Sequence, residues 1–374
     1  MTTTSATRTS ARECRRDGIL PAHAIRWLME NGHLLAEEPI APDQYQPASL
    51  DLRLGRKAWR VRASFLPGRQ RTVAERLEEL ALHEMPLEGG AVLETGCVYI
   101  VPLMESLRLP EEVAAAANPK SSTGRIDVFT RVITESGTAF DRVPCGYEGP
   151  LFAEISPRTF PILVRPGARL SQIRFRRGRV RLSDEATRAL HERDPLVVGA
   201  EVDIDGGVAL SVDLCGGDIT QPIGYRARRH AGLIDVDAVG RYDLETFWEP
   251  IGRREPLILD PGEFYILASK EAVRIPPDHA AEMVPFDPFV GEFRVHYAGF
   301  FDPGFGHASG GGEGARAVLE VRAHEVPFTL EDGQIVGRLL YEPLCEPPEQ
   351  VYGREIGAHY QRQGLKLSKH FRLP

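Results

Sequence analysis

LETGCVYIVPLMESLRLPEEVAAAANP, Leu93 to Pro119, is written twice in this chain. At a shift of 166 residues it aligns without a gap onto LDPGEFYILASKEAVRIPPDHAAEMVP, Leu259 to Pro285. Gly96, Tyr99, Glu105, Arg108, Pro110 and Pro119 meet Gly262, Tyr265, Glu271, Arg274, Pro276 and Pro285. The same shift carries Glu154 onto Glu320, Pro161 onto Pro327 and Gly167 onto Gly333. At a shift of 162, Ser49 and Asp51 meet Ser211 and Asp213, and LPAHAIRWL meets LSDEATRAL. Similarity at one offset means one structural unit used twice. Inside each unit short apolar runs (GCVYIVPL, SLRLP, FPILVRPGARLSQIRF) are broken by Gly and Pro. That is the pattern of an antiparallel barrel or sandwich, in which Tyr99 and Tyr265 read as core residues.

At 374 residues the chain is long enough for two domains, each with its own core. We divide it into an N-terminal tail (1–17), a first repeat (18–180), a second repeat (181–345) and a C-terminal segment (346–374). Two helices are expected, one in Ile19–Leu35 and an inserted one in Arg71–His83. A net charge of −8 argues against a protein that coats nucleic acid. No run is long enough for a membrane span, and the polar Met1–Arg16 is not a secretory signal, so the expected location is cytoplasmic. Cys14, Cys97, Cys145, Cys215 and Cys345 are scattered without a CxxC pair, which fits a reducing compartment and offers no zinc-site spacing. His23 and His33 read as surface helix residues, and the arginines from Arg165 to Arg179 as a solvated strand face.

The two copies differ where chemistry is expected. The first reads KSSTGR, Lys120 to Arg125, where the second reads FDPFVG, Phe286 to Gly291. A turn with two hydroxyls, backbone N–H groups and two cations suits a phosphate chain. Conversely the second copy has a compact AGFFDPGFG where the first has the longer AFDRVPCGYEG. Each copy then sets a glutamate, Glu154 or Glu320, in an otherwise apolar strand, where a carboxylate is costly unless paired or used.

These segments resemble the dCTP deaminase branch of the dUTPase-like superfamily in its long, duplicated form. QPASLDLRLG and KSSTGR are similar to that family's QPAS-DLRLG and RSS--R segments, with Lys120 in place of an arginine. FDPGFG followed by AVLEV is similar to its DPG-aromatic turn and LEF strand, and GREIGAHYQRQG to its closing tail. The resemblance implies a mainly β fold of two tandem dUTPase-like distorted β-barrels of the β-clip type, with a few short helices. It implies a homo-oligomer built on three-fold barrel packing and hydrolytic deamination of dCTP to dUTP and ammonia. Mg²⁺ would arrive on the substrate triphosphate, with no zinc; the zinc deaminases need a P-C-x-x-C that this chain lacks.

By the same resemblance the catalytic candidates are Glu320, Glu154, Ser121 and Arg125. A glutamate would take a proton from the attacking water and return protons to N3 and the leaving amine. Lys120, Ser122, Asp302, Phe305, Tyr352, His359, Tyr360 and Gln363 are the substrate-binding candidates. In this superfamily the serine motif and the carboxylate come from different subunits, which makes the divergence of the two copies informative. The preferred pairing therefore sets KSSTGR of the first repeat against Glu320 and the tail; the competing one uses Glu154. A bifunctional enzyme that also cleaves dUTP, a dUTP pyrophosphatase, and a silent nucleotide-binding relative, with dTTP or dUTP as ligand, are the alternative readings.

Overall fold

The computed structural model describes residues 13–199, 201–216, 221–285, 293–295, 299–323, 325–353 and 364–372. It is mainly β with a few short helices. The FDPFVG segment, His359, Tyr360 and Gln363 lie outside the described residues.

The repeat is visible strand by strand. Ala91–Leu93, Val113–Pro119 and Ile162–Val164 recur at the 166-residue shift as Leu257–Leu259, His279–Pro285 and Phe328–Leu330. Val98–Arg108 and Glu148–Pro157 recur as Phe264–Val273 and Ala315–Ala323. Side-chain detail recurs too. The Tyr99 hydroxyl accepts the Glu94 N–H at 3.1 Å and Tyr265 that of Asp260 at 2.9 Å, both tyrosines being buried as expected.

In the first repeat two sheets enclose a common core. One runs through 45–46, 49–52, 171–177, 113–119 and 142–143, the other through 128–134, 148–157, 98–108, 57–61 and 81–86. The second repeat has the corresponding pair, with Ala315–Ala323 between Phe264–Val273 and Phe293–Val295. An addition at 224–251 then ties the units together. Ile234 and Asp235 pair in parallel with Ile162 and Leu163. Phe247 and Trp248 meet Phe160 edge-on at 5.5 and 5.6 Å, and Phe371 near the C-terminus closes on Trp248 at 5.8 Å. One apolar core therefore runs from the first repeat into one face of the second.

Several expectations need correction. The first helix is only Ala22–Glu30. Gly18–Ile19 pairs with Arg177 and Arg176 as a strand, Pro21 starts the helix, and the chain after Gly32 (φ +73°) turns into the strand Leu34–Ala36. The inserted helix is Val73–Leu80, started by a Thr72–Glu75 capping box and followed by the strand Ala81–Pro86. His23 is buried, 1 % exposed, rather than on the surface. The N-terminal segment is held from at least Cys14, which is buried and disulfide-bonded to Cys345. Spacing could not disclose that pair, because 331 residues separate them.

The arginine run is not one solvated face either. Arg174, 2 % exposed, reaches from the first repeat into the second. Its guanidinium donates to the carbonyls of Ala281 at 2.9 Å and Phe301 at 3.2 Å and to the Asp302 carboxylate at 3.3 Å, and it lies 4.2 Å from the Phe300 ring centre. Removing one member of a buried ion pair leaves the other charge uncompensated. Arg174→Ala should therefore lose about 3 to 5 kcal/mol, read as a lower urea midpoint, whereas the exposed Arg108→Ala should change it little.

Candidate active site

Glu320 sits on the strand Ala315–Ala323, opposite Ile266, with Tyr225 next in the same row. Alternation along the strand puts Val318, Glu320 and Arg322 on the face turned towards the first repeat, while Leu319 and Val321 fill the second repeat's own core. The inserted HASGGGEG loop is closed where the Gly314 N–H donates to the Gly306 carbonyl at 2.8 Å, and Glu320 lies beyond the register shift between Ala268 and Ala272. Glu320 is 6 % exposed. Burial pushes its carboxyl up to about 8, against the opposing pull of the nearby Arg125 guanidinium; the Asp127 carboxylate adds to the rise.

The surface that Glu320 meets is the KSSTGR segment. Ser121–Gly124 forms a single helical turn after the extended Lys120. A β-carbon at Gly124 would collide with both Glu320 carboxylate oxygens where they stand, so the carboxylate lies directly against the glycine. Arg125 and Asp127 follow, both buried. Arg322, two residues beyond Glu320, reaches across to the Asp127 carboxylate and donates to the Thr159 hydroxyl at 2.9 Å. Asp127 is at φ +56°, an uncommon conformation that aims its carboxylate at Arg322 and Thr159.

The described part of the tail docks on the same segment. The Ser368 hydroxyl donates to the Ser122 carbonyl at 2.8 Å, and Arg125 donates to the Lys366 carbonyl at 3.0 Å. His370, buried, spans Ser368 at 2.8 Å and the Val236 carbonyl at 3.0 Å; desolvation drops it to about 4, so it is neutral at physiological pH. This brings cations together. Burial and Arg125 hold Lys366 below the usual lysine range, and burial and Lys120 do the same to Lys369. Lys120 is ion-paired with buried Asp51, and Arg169 stands 3.9 Å from that same carboxylate. Like charges crowded in this way make a receptor for an anion.

The expected residues fall into three groups. Lys120, Ser121, Ser122 and Arg125 share the segment whose Gly124 touches Glu320, Arg125 acts directly on that carboxyl, and Lys120 and Asp51 act on the charge of Asp302. Burial raises the Asp302 carboxyl, and Arg174 opposes this. Phe305 is buried in the second repeat's core, 5.1 Å from Phe301 and 5.6 Å from Tyr352. Glu154 lies in a different sheet, 2 % exposed. Arg131, its cross-strand neighbour, grips it from one side, bonds Ser64 at 2.9 Å and lies 3.4 Å from the Phe140 ring centre. Gly124, Asp127, Arg322, Lys369 and Asp51 also stand at this site and are not among the candidates that the motifs single out. Only Asp51 left a signal, in its recurrence as Asp213. Asp213 pairs with Arg316 on the wall of a cleft of about 280 Å³, which Tyr225 and Leu365 also line.

Comparison with known proteins agrees across the chain. Residues 16–179 match the family model described as the 2'-deoxycytidine 5'-triphosphate deaminase N-terminal domain, and residues 183–371 that of its C-terminal domain. A dCTP deaminase of Haloarcula marismortui is 31 % identical over 153 residues, 39 % of this chain and 74 % of that protein. A protein of Streptomyces coelicolor named dCTP deaminase, dUMP-forming, is 35 % identical over 140 residues, 36 % of this chain and 68 % of its own. The crystal structure of 2'-deoxycytidine 5'-triphosphate deaminase from Agrobacterium tumefaciens superposes with a TM-score of 0.85 at 60 % identity, covering 88 % of this chain and all of that one.

The buried carboxyl has a consequence for stability. An unfolded glutamate ionises near 4.5, whereas Glu320 in the fold does so at about 8. The unfolded chain therefore ionises first as pH rises. The stability associated with the protonated form is whole below about pH 4.5 and is lost up to about pH 8. Glu320→Gln cannot ionise, so its stability relative to wild type should rise over that window, by at most about 5 kcal/mol. Urea unfolding between about pH 5 and pH 8.5 measures this, and a constant difference would mean that Glu320 is ionised in the fold throughout.

Proposed function

Since the chain belongs to the 2'-deoxycytidine 5'-triphosphate deaminase family, we propose that its reaction, the hydrolytic deamination of dCTP to dUTP and ammonia, runs where the first repeat's KSSTGR segment meets Glu320 of the second. The observation that carries this reading is the contact of Gly124 with the Glu320 carboxylate inside one chain. A carboxyl buried beside an arginine, with its ionisation moved towards neutrality, can both take and return a proton.

In this reading the cytosine ring lies against Glu320. The carboxylate removes a proton from water as the water oxygen bonds to C4, and hands that proton to N3. It then carries the remaining proton of the C4 hydroxyl to the amine, which leaves as ammonia as the C4 carbonyl forms. Ser121 and Arg125 hold the water and the developing charge. Lys120, Ser122, Lys366 and Lys369 face the triphosphate, whose negative charge relieves the repulsion among these cations. Mg²⁺ enters on the phosphates as part of the substrate. Asp302 bounds the site from the second repeat, with Phe305 and Tyr352 packed behind it. Glu154, gripped by Arg131, has a structural role. Each repeat is a dUTPase-like distorted barrel in this view, and chains assemble with three-fold barrel packing.

Glu320→Gln should cut ammonia release from dCTP by about a thousandfold, and Glu154→Gln should stay within about tenfold of wild type. Loss of activity in Glu154→Gln alone would move the site to the other carboxylate. Chromatography of the nucleotide product in the same assay separates dUTP from dUMP, the product that the name of the Streptomyces coelicolor relative carries. Lys369→Met should raise KM for dCTP by about tenfold with little change in kcat, as expected for a phosphate contact.

A further inference from the structure

A second group of reactive side chains lies where the two ends of the chain come together. Cys14 and Cys345 are buried, 5 % and 2 % exposed, with Cα atoms 6.1 Å apart. Beside them His23 is 1 % exposed, and one of its ring nitrogens lies 3.3 Å from the Glu346 carboxylate. Cys14, His23 and Glu346 each present one donor atom within 4.8 Å of the other two. Nδ1 of His23 is buried without a hydrogen-bond partner. A buried polar nitrogen left in that state is unfavourable and calls for a ligand.

The backbone holds these groups together independently of the sulfur–sulfur bond. The Cys345 N–H donates to the Ile19 carbonyl at 3.0 Å, and Ile19 bridges Leu344 in parallel. Gly18 packs so closely on Cys345 that a β-carbon would collide with its backbone. Arg177 donates to the Cys14 carbonyl at 3.2 Å, and Arg26 donates to Glu349 at 2.8 Å. Reduction therefore leaves two thiols, an imidazole and a carboxylate facing one point. Two sulfurs, a nitrogen and an oxygen, set at different sequence positions by the fold, are a donor set for a tetrahedral thiophilic cation.

We propose that the reduced Cys14–Cys345 pair, with His23 and Glu346, binds one divalent cation of the zinc class, and that the disulfide is the oxidised, metal-free form of the same site. Coordination by Nδ1 supplies the partner that this buried nitrogen lacks. Conversion to the disulfide form balances with a peroxide as oxidant. The two thiolates lose two electrons as the S–S bond forms, hydrogen peroxide takes up those electrons with two protons to give two waters, and the cation leaves. The site ties the N-terminal segment to the root of the C-terminal one, and it takes no part in deamination.

The test uses the full-length protein reduced with a phosphine, freed of reductant without air and titrated with cobalt(II). One equivalent should bind with thiolate-to-cobalt charge-transfer absorption and the visible bands of a tetrahedral site, and zinc(II) should abolish both. Cys14→Ser and Cys345→Ser should each lose the charge-transfer band, and His23→Asn should weaken binding by at least about tenfold. The disulfide-bonded protein should bind no cobalt in this way. Wild-type protein needs no variant to fold, so absence of the spectrum in its reduced form overturns the proposal. Persistence of the same spectrum in Cys14→Ser, or in the oxidised protein, also overturns it, by assigning the metal to Cys97, Cys145 or Cys215 or to no thiolate at all.

Discussion

A carboxylate buried at a seam between two copies of one unit is the constraint on which this structure turns. Burying Glu320 is costly, and the cost is tolerable only because the opposing segment is shaped for it. Gly124 gives the carboxylate room, and Arg125 supplies a nearby positive charge. Everything that fixes the seam therefore bears on the site: Arg322 on Asp127, Arg174 on Asp302, and the aromatic group around Trp248. The two ion pairs and the Trp248–Phe160 contact each cross from one repeat to the other. The site exists because the two units are docked, and it is as rigid as their docking.

Duplication frees one copy of each feature to change. In the first repeat the strand glutamate has been given to Arg131, whose guanidinium is itself fixed by Ser64 and by the faces of Phe140 and Phe129. That carboxylate is engaged by an ion pair within its own repeat. In the second repeat burial raises the glutamate's proton affinity, and Arg125, across the seam, opposes that rise. Identical residues at matching places in matching strands thus acquire different chemistry from their neighbours alone.

The tail acts in the same economy of charge. Ser368 and His370 anchor it through neutral hydrogen bonds and so carry its lysines to the site. Lys369 stands near Lys120 and Lys366 near Arg125, an arrangement unfavourable by itself and favourable around a polyanion.

Much of this was legible in the chain as written. The repeat at a constant shift, its division near residue 180, the core tyrosines and the family likeness all follow from local pattern, because a strand's alternation and a turn's glycines are properties of neighbouring residues. The motifs also point to Lys120, Ser121, Ser122, Arg125 and Glu320 as candidates, and the fold sets Arg125 beside Glu320. What only the tertiary structure decided were the pairings across long separations. Arg174 reads like its exposed neighbours until the second repeat covers it, Glu154 and Glu320 read alike until Arg131 claims one, and Cys14 and Cys345 read as strays until the chain ends meet. Burial and ion pairing depend on which surfaces come together, and a sequence states that only through the fold it makes.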